Sequence, residues 1–167
     1  MQIYLVSFFI LLASFVLQTT VAPHLQVFNV QPDLILVVVV TYAFIQGPIA
    51  GSAAGFVGGI LQDLVLIRGV GLNALCKTIM GYLGGMMEKA LFADNVLLMM
   101  AAIFLATILN QLIYSSLIFI LGERIHLWSA FLRLILPSAL YNAVLAPLIY
   151  HLLYKIVVFE KKAPVFK

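Results

Sequence analysis

Residues 47–78 read GPIAGSAAGFVGGILQDLVLIRGVGLNALCKT, a glycine-paced apolar run that closes on an acid, Asp63, passes Arg68 in a glycine-containing loop, and re-enters apolar sequence carrying Lys77. Gly47, Gly51, Gly55 and Gly59 recur every fourth residue and share one side of a helix, which Ala54 and Gly58 extend. In lipid no hydrophobic drive joins helices, so association gains from backbones that pack closely, and small residues at this spacing permit that approach. Gly81 and Gly85 repeat the device on the following segment. Two readings fit the spacing: packing against a neighbour in the same chain, or a face for another protein's transmembrane helix.

The rest of the chain explains why lipid is the relevant solvent. Of 167 residues, 65% are hydrophobic and 9% charged, with mean hydropathy +1.18, whereas an average soluble domain is about a quarter charged. The sequence reads as an all-α polytopic membrane protein. Nine Lys and Arg against six Asp and Glu give only +3, with no basic stripe interleaved with aromatics, which excludes a nucleic-acid partner and leaves membrane lipid as the surroundings. Cys76 is the only cysteine, so no intrachain disulfide and no Cys-rich metal site can form, and it reads as a small packing residue.

A helix needs about 20 residues to cross a hydrocarbon core of about 30 Å. On that ruler 3–22, 96–121 and 130–158 are plain spans. The first begins Met-Gln without a basic n-region, so it reads as an uncleaved span and not as a signal peptide. Residues 33–46 and 48–62 read as two short or tilted helices in a hairpin, because Pro48 lacks an N–H and disfavours helix at Gly47. A further helix over 72–87 makes six, within a single transmembrane domain at 1–159 followed by a short basic tail at 160–167. Lys155, Lys161, Lys162 and Lys167 place the C-terminus in the cytoplasm by the positive-inside rule, and six crossings return the N-terminus there. A five-span arrangement would put the N-terminus outside.

Ionisable groups inside spans are costly, at least ~2.5 kcal/mol at the bilayer centre on insertion scales, so each needs a partner or a purpose. Asp63 and Arg68 read as interfacial groups that staple the loop between the third and fourth helices. Lys77 lies deeper, where it either snorkels outward or pairs with Asp63, the acid on the same side; the pair is the favoured reading. Asn110 and Gln111 fall mid-span and read as interhelical hydrogen-bonding glue. In the last span Pro137 and Pro147 free backbone carbonyls, and Asn142, beside Tyr141, can satisfy one of them or line a cavity. No HExxH, GxSxG, Walker loop or paired carboxylate is present, so neither an enzyme nor a cofactor site is expected.

The order of these features resembles the rod shape-determining MreD family. The carrying residues are Pro32-Asp33-Leu34, the run Gly58-Gly59-Ile60-Leu61-Gln62-Asp63-Leu64, then Gly71-Leu72-Asn73-Ala74-Leu75, and Pro137-Ser138-Ala139-Leu140-Tyr141-Asn142 with Pro147, spread over nearly the whole chain. The family's Pro-Asp pair is matched by Pro32 and Asp33, the Asp closing its third helix by Asp63, and the Asn of its last helix by Asn142; Lys77 departs from the pattern. The resemblance implies a non-enzymatic subunit of the bacterial inner-membrane elongation complex that binds MreC and, through it, joins MreB, RodA and a class B penicillin-binding transpeptidase. It implies a fold similar to the substrate-binding subunits of energy-coupling-factor transporters, with the glycine helix and its hairpin holding MreC's span. That fold also suggests an alternative, a vitamin-type small-molecule carrier whose outer pocket draws on Asp63, Arg68, Asn73 and Lys77.

Overall fold

The computed structural model describes residues 2–26, 30–65, 71–87, 95–123, 128 and 131–162. Among the described residues six α-helices follow one another: α1 (Gln2–Thr20), α2 (Leu34–Gln46), α3 (Pro48–Val65), α4 (Leu72–Met86), α5 (Val96–Ile120) and α6 (Leu136–Lys162). A 3-10 turn at Ala22–Leu25 follows α1, and a π-helical turn at Phe131–Ile135 leads into α6. Among the described residues α1, α3, α5 and α6 carry apolar windows long enough to cross a membrane. The others are shorter, 13 residues in α2 and 15 in α4, or about 20 Å and 22 Å at 1.5 Å per residue.

The shortest helix is the axis of the molecule. Ile35 through Ile45 of α2 are all buried, as expected of a helix that is apolar on every side. Its LILVVVV opening is rich in β-branched residues that elsewhere favour strands, yet a lone segment in lipid must pair its own backbone groups, and only the helix does so. One side of α2 packs on Met80 of α4, Met99 and Ile103 of α5 and Ala146 of α6. The other side meets Leu11 of α1, Ala54 of α3 and Leu153 and Val157 of α6.

The break expected at residues 46–48 is a single residue long. Gly47 closes α2 with φ +93°, its N–H donating to Ala43 O at 2.8 Å. Pro48 then opens α3 at the position where a missing N–H costs nothing. Gly47 therefore makes the turn: a Cβ there would meet nothing within 4 Å, so it does not belong with the packing glycines, and its requirement is the left-handed φ.

Helices α3 and α4 lie antiparallel in backbone contact. A Cβ on Gly51 would strike the Gly81 carbonyl and one on Gly81 the Gly51 carbonyl; at Gly55 it would strike the Lys77 carbonyl, at Gly59 the backbone of Ala74, and at Gly85 the backbone of Pro48. The every-fourth-residue glycine face is thus covered from within the chain by α4, and no room remains on it for the helix of another protein. Gly58 and Gly84 turn the other way, towards Ile35 and Val40 of α2.

Candidate functional site

The polar residues of the spans converge where α2 begins, beside the end of α3 and the start of α4. Three side chains from different elements serve the N-terminus of α2. Asp33 caps its own helix, its Oδ1 accepting from Leu36 N at 3.0 Å. Gln18 of α1 accepts from Ile35 N at 3.0 Å, and Asn142 of α6 accepts from Asp33 N at 2.9 Å. The first N–H groups of any helix lack internal partners, and in a bilayer no water supplies them, so side chains from neighbouring helices must.

Asp63 performs the same service for α4. The residue at that helix's N-cap is Gly71, at φ +97°, which has no side chain to offer. The Asp63 carboxylate fills in from the end of α3: Oδ2 accepts from Gly71 N (2.9 Å) and Ala74 N (3.0 Å), Oδ1 from Asn73 N (3.1 Å) and Asn73 Nδ2 (2.9 Å). Four N–H donors and the positive end of a helix surround one carboxylate. Asp63 is only 3% exposed, buried against the start of α4.

Lys77 pairs with Asp33 and not with Asp63. Its Nζ donates to Asp33 Oδ2 at 2.9 Å and lies 3.4 Å from Asn73 Oδ1, with the lysine fully buried. The physical reason is availability. Both Asp63 oxygens are already committed to the α4 backbone, whereas Asp33 has Oδ2 to spare, and its other oxygen takes Leu36 N and Gln62 Nε2 (3.2 Å). Arg68 lies outside the described residues, as do Lys89, Arg124 and Lys167.

Asn142 serves an N–H donor and not a carbonyl freed by proline. Its Nδ2 donates to Thr107 Oγ1 at 3.2 Å, and Thr107 in turn donates to Ile103 O, so α2, α5 and α6 are tied through one amide. Tyr141, adjacent in sequence, is half-buried. Asn110 is buried with Oδ1 unpartnered, and Gln111 beside it is half-buried. Sequence reasoning passed over Gln18 and Thr107, and its only clue to them is that each is a polar residue within an apolar span. Among the described residues no group of three His, Cys, Asp or Glu side chains could hold a metal ion.

Among the described residues, a helical bundle with an axial helix buried from Ile35 to Ile45, four long apolar helices and a charge-paired polar cluster at one end defines an all-α membrane protein of several spans. The family model for rod shape-determining protein MreD matches residues 1–158, and the chain belongs to that family. Comparison with curated proteins and with solved structures gives no match, so the expected likeness to energy-coupling-factor subunits gains no support. The family is one of shape-determining proteins and not a known enzyme family.

Proposed function

We propose that the protein is a non-catalytic scaffold of the rod elongation complex in the bacterial inner membrane, that it binds MreC directly, and that it joins MreB, RodA and a class B penicillin-binding transpeptidase through MreC in guiding peptidoglycan synthesis. Family membership across residues 1–158 carries this reading. The site's chemistry supports it: Asp33, Asp63 and Lys77 are each consumed by partners within the chain, which makes them braces of a fixed platform. Lys155, at the far end of α6 from the cluster, together with the lysines at 161, 162 and 167, orients both termini to the cytoplasm and the polar cluster outward.

The glycine face is covered by α4, so MreC's span engages another surface. The test is co-expression with MreC from the same organism, purification in mild detergent and native mass spectrometry. A stoichiometric complex is expected. Recovery of the folded chain without MreC would refute the scaffold reading.

A further inference from the structure

Between the ends of α1 and α3, next to the polar cluster, lies a cavity of about 270 Å³ that none of the braces described above needs. Its polar wall is Gln18, Thr19, Gln31 and Gln62. Gln62 is buried, and because a carboxylate can only accept, its Nε2 must be the end that faces Asp33. Its Oε1 is then left buried with no partner, a condition native structures avoid unless something fills the gap. Gln18 presents the complement: its Oε1 is held by Ile35 N, which turns the amide nitrogen away from α2 as a donor. Thr19 spends its proton on Phe15 O and keeps its oxygen as an acceptor.

The chemistry of this wall selects its ligand. It combines donors and acceptors but no charge, since Asp33 and Lys77 neutralise each other behind Gln62. Among the described residues the wall offers an anionic group no cation. Phe15, Pro23 and Val65 supply the apolar part, and the exposed Val16, Leu17 and Leu64 lead from it along the bundle surface, where an acyl chain can lie. The volume is close to the lower bound of ordinary ligand pockets, about 300 Å³, so it suits a headgroup better than a whole vitamin or nucleotide. We infer that this cavity binds a neutral hydroxyl-bearing group of the glycerol type, with one hydroxyl donating to Gln62 Oε1 and another accepting from Gln18 Nε2.

Monoolein, a glycerol with two free hydroxyls esterified to one oleoyl chain, is the probe, titrated into the detergent-purified full chain and read by native mass spectrometry. One equivalent is expected to bind, at least tenfold more weakly to Gln62→Met and to Val65→Trp. The second variant fills the cavity from an exposed wall and leaves the contacts of Asp33 alone, so an unchanged thermal melt separates lost binding from lost folding. Free glycerol that displaces monoolein at similar concentration would make the ligand a soluble polyol; failure to displace makes it a lipid. Phosphatidic acid binding as tightly as monoolein, equal binding by both variants, or no binding at all overturns the inference. So does Val65→Trp abolishing MreC co-purification while monoolein never binds, which would give the cavity to a protein segment.

Discussion

The Lys77 ammonium lies 2.9 Å from the Asp33 carboxylate across 44 residues of sequence, joining the middle of the α3–α4 hairpin to the first turn of the axial helix. Breaking a buried pair by removing one partner costs about 3–5 kcal/mol, because the survivor is left charged and unpaired. The two halves are not equivalent here. Lys77→Met leaves Asp33 with Leu36 N and Gln62 Nε2, so it falls at the lower end of that range. Asp33→Ala strands Lys77 and also removes the α2 cap, a further loss of about 1 kcal/mol. Cys76 is the sole cysteine and buried, so the temperature at which a thiol-reactive dye labels it reports unfolding. The expected order of midpoints is wild type, then Lys77→Met, then Asp33→Ala; the reverse order of the two variants would show that Lys77 is not held by Asp33.

Asp63 accepts four hydrogen bonds from one helix N-terminus, and this makes asparagine a poor substitute. Asp63→Asn keeps one acceptor oxygen and turns an amide donor towards donors that already face it. Each buried donor left unsatisfied costs about 1–3 kcal/mol. Asp63→Asn is therefore expected to lose nearly as much stability as Asp63→Ala. Hydrogen exchange should accelerate in both variants at the Gly71, Asn73 and Ala74 amides before it does in α2. Protection retained at those three amides in Asp63→Ala would remove Asp63 as the cap of α4.

Most of the helices and their limits are legible in the sequence because they rest on local chemistry. Gly47-Pro48 stops one helix and starts the next, and the glycine spacing marks a close-packed face. The partners are not legible, because they depend on which helix ends meet. Lys77 looked towards Asp63, the acid read as lying on the same side, since nothing local reveals that Asp63 is consumed by the helix it precedes. Asn142 looked like a remedy for its neighbouring prolines, whereas its contacts lie on α2 and α5. Gln18 near the end of an apolar span carried no periodicity at all, and only the burial of the α2 N-terminus gives it a purpose.

Asn142 bridges a backbone N–H of α2 and a hydroxyl of α5. Asn142→Leu leaves the Asp33 N–H and Thr107 without these contacts, an expected loss of about 1–3 kcal/mol. Asn142→Asp keeps the acceptor for the Asp33 N–H but sets a second carboxylate beside the first, so it should be no better than leucine. A melt of Asn142→Asp equal to wild type would mean the cluster tolerates added negative charge and Lys77 is shared between both acids.

The glycines of α3 separate by what their missing side chains would meet. At Gly55 the obstacle is the Lys77 carbonyl, backbone that cannot swing aside, while at Gly58 it is the Ile35 side chain at 2.7 Å, which can shift. Overpacking in a dense core costs about 1–3 kcal/mol and occasionally more. Gly55→Ala should sit at the top of that range and Gly58→Ala near the bottom, with half-buried Ser52→Ala as a neutral control. Gly55→Leu should not yield folded protein, so its effect on MreC co-purification tracks loss of the α3–α4 contact and not loss of a docking face. Folded Gly55→Leu protein that had lost only MreC would reverse this assignment, because the glycine face would then have to meet MreC and not α4.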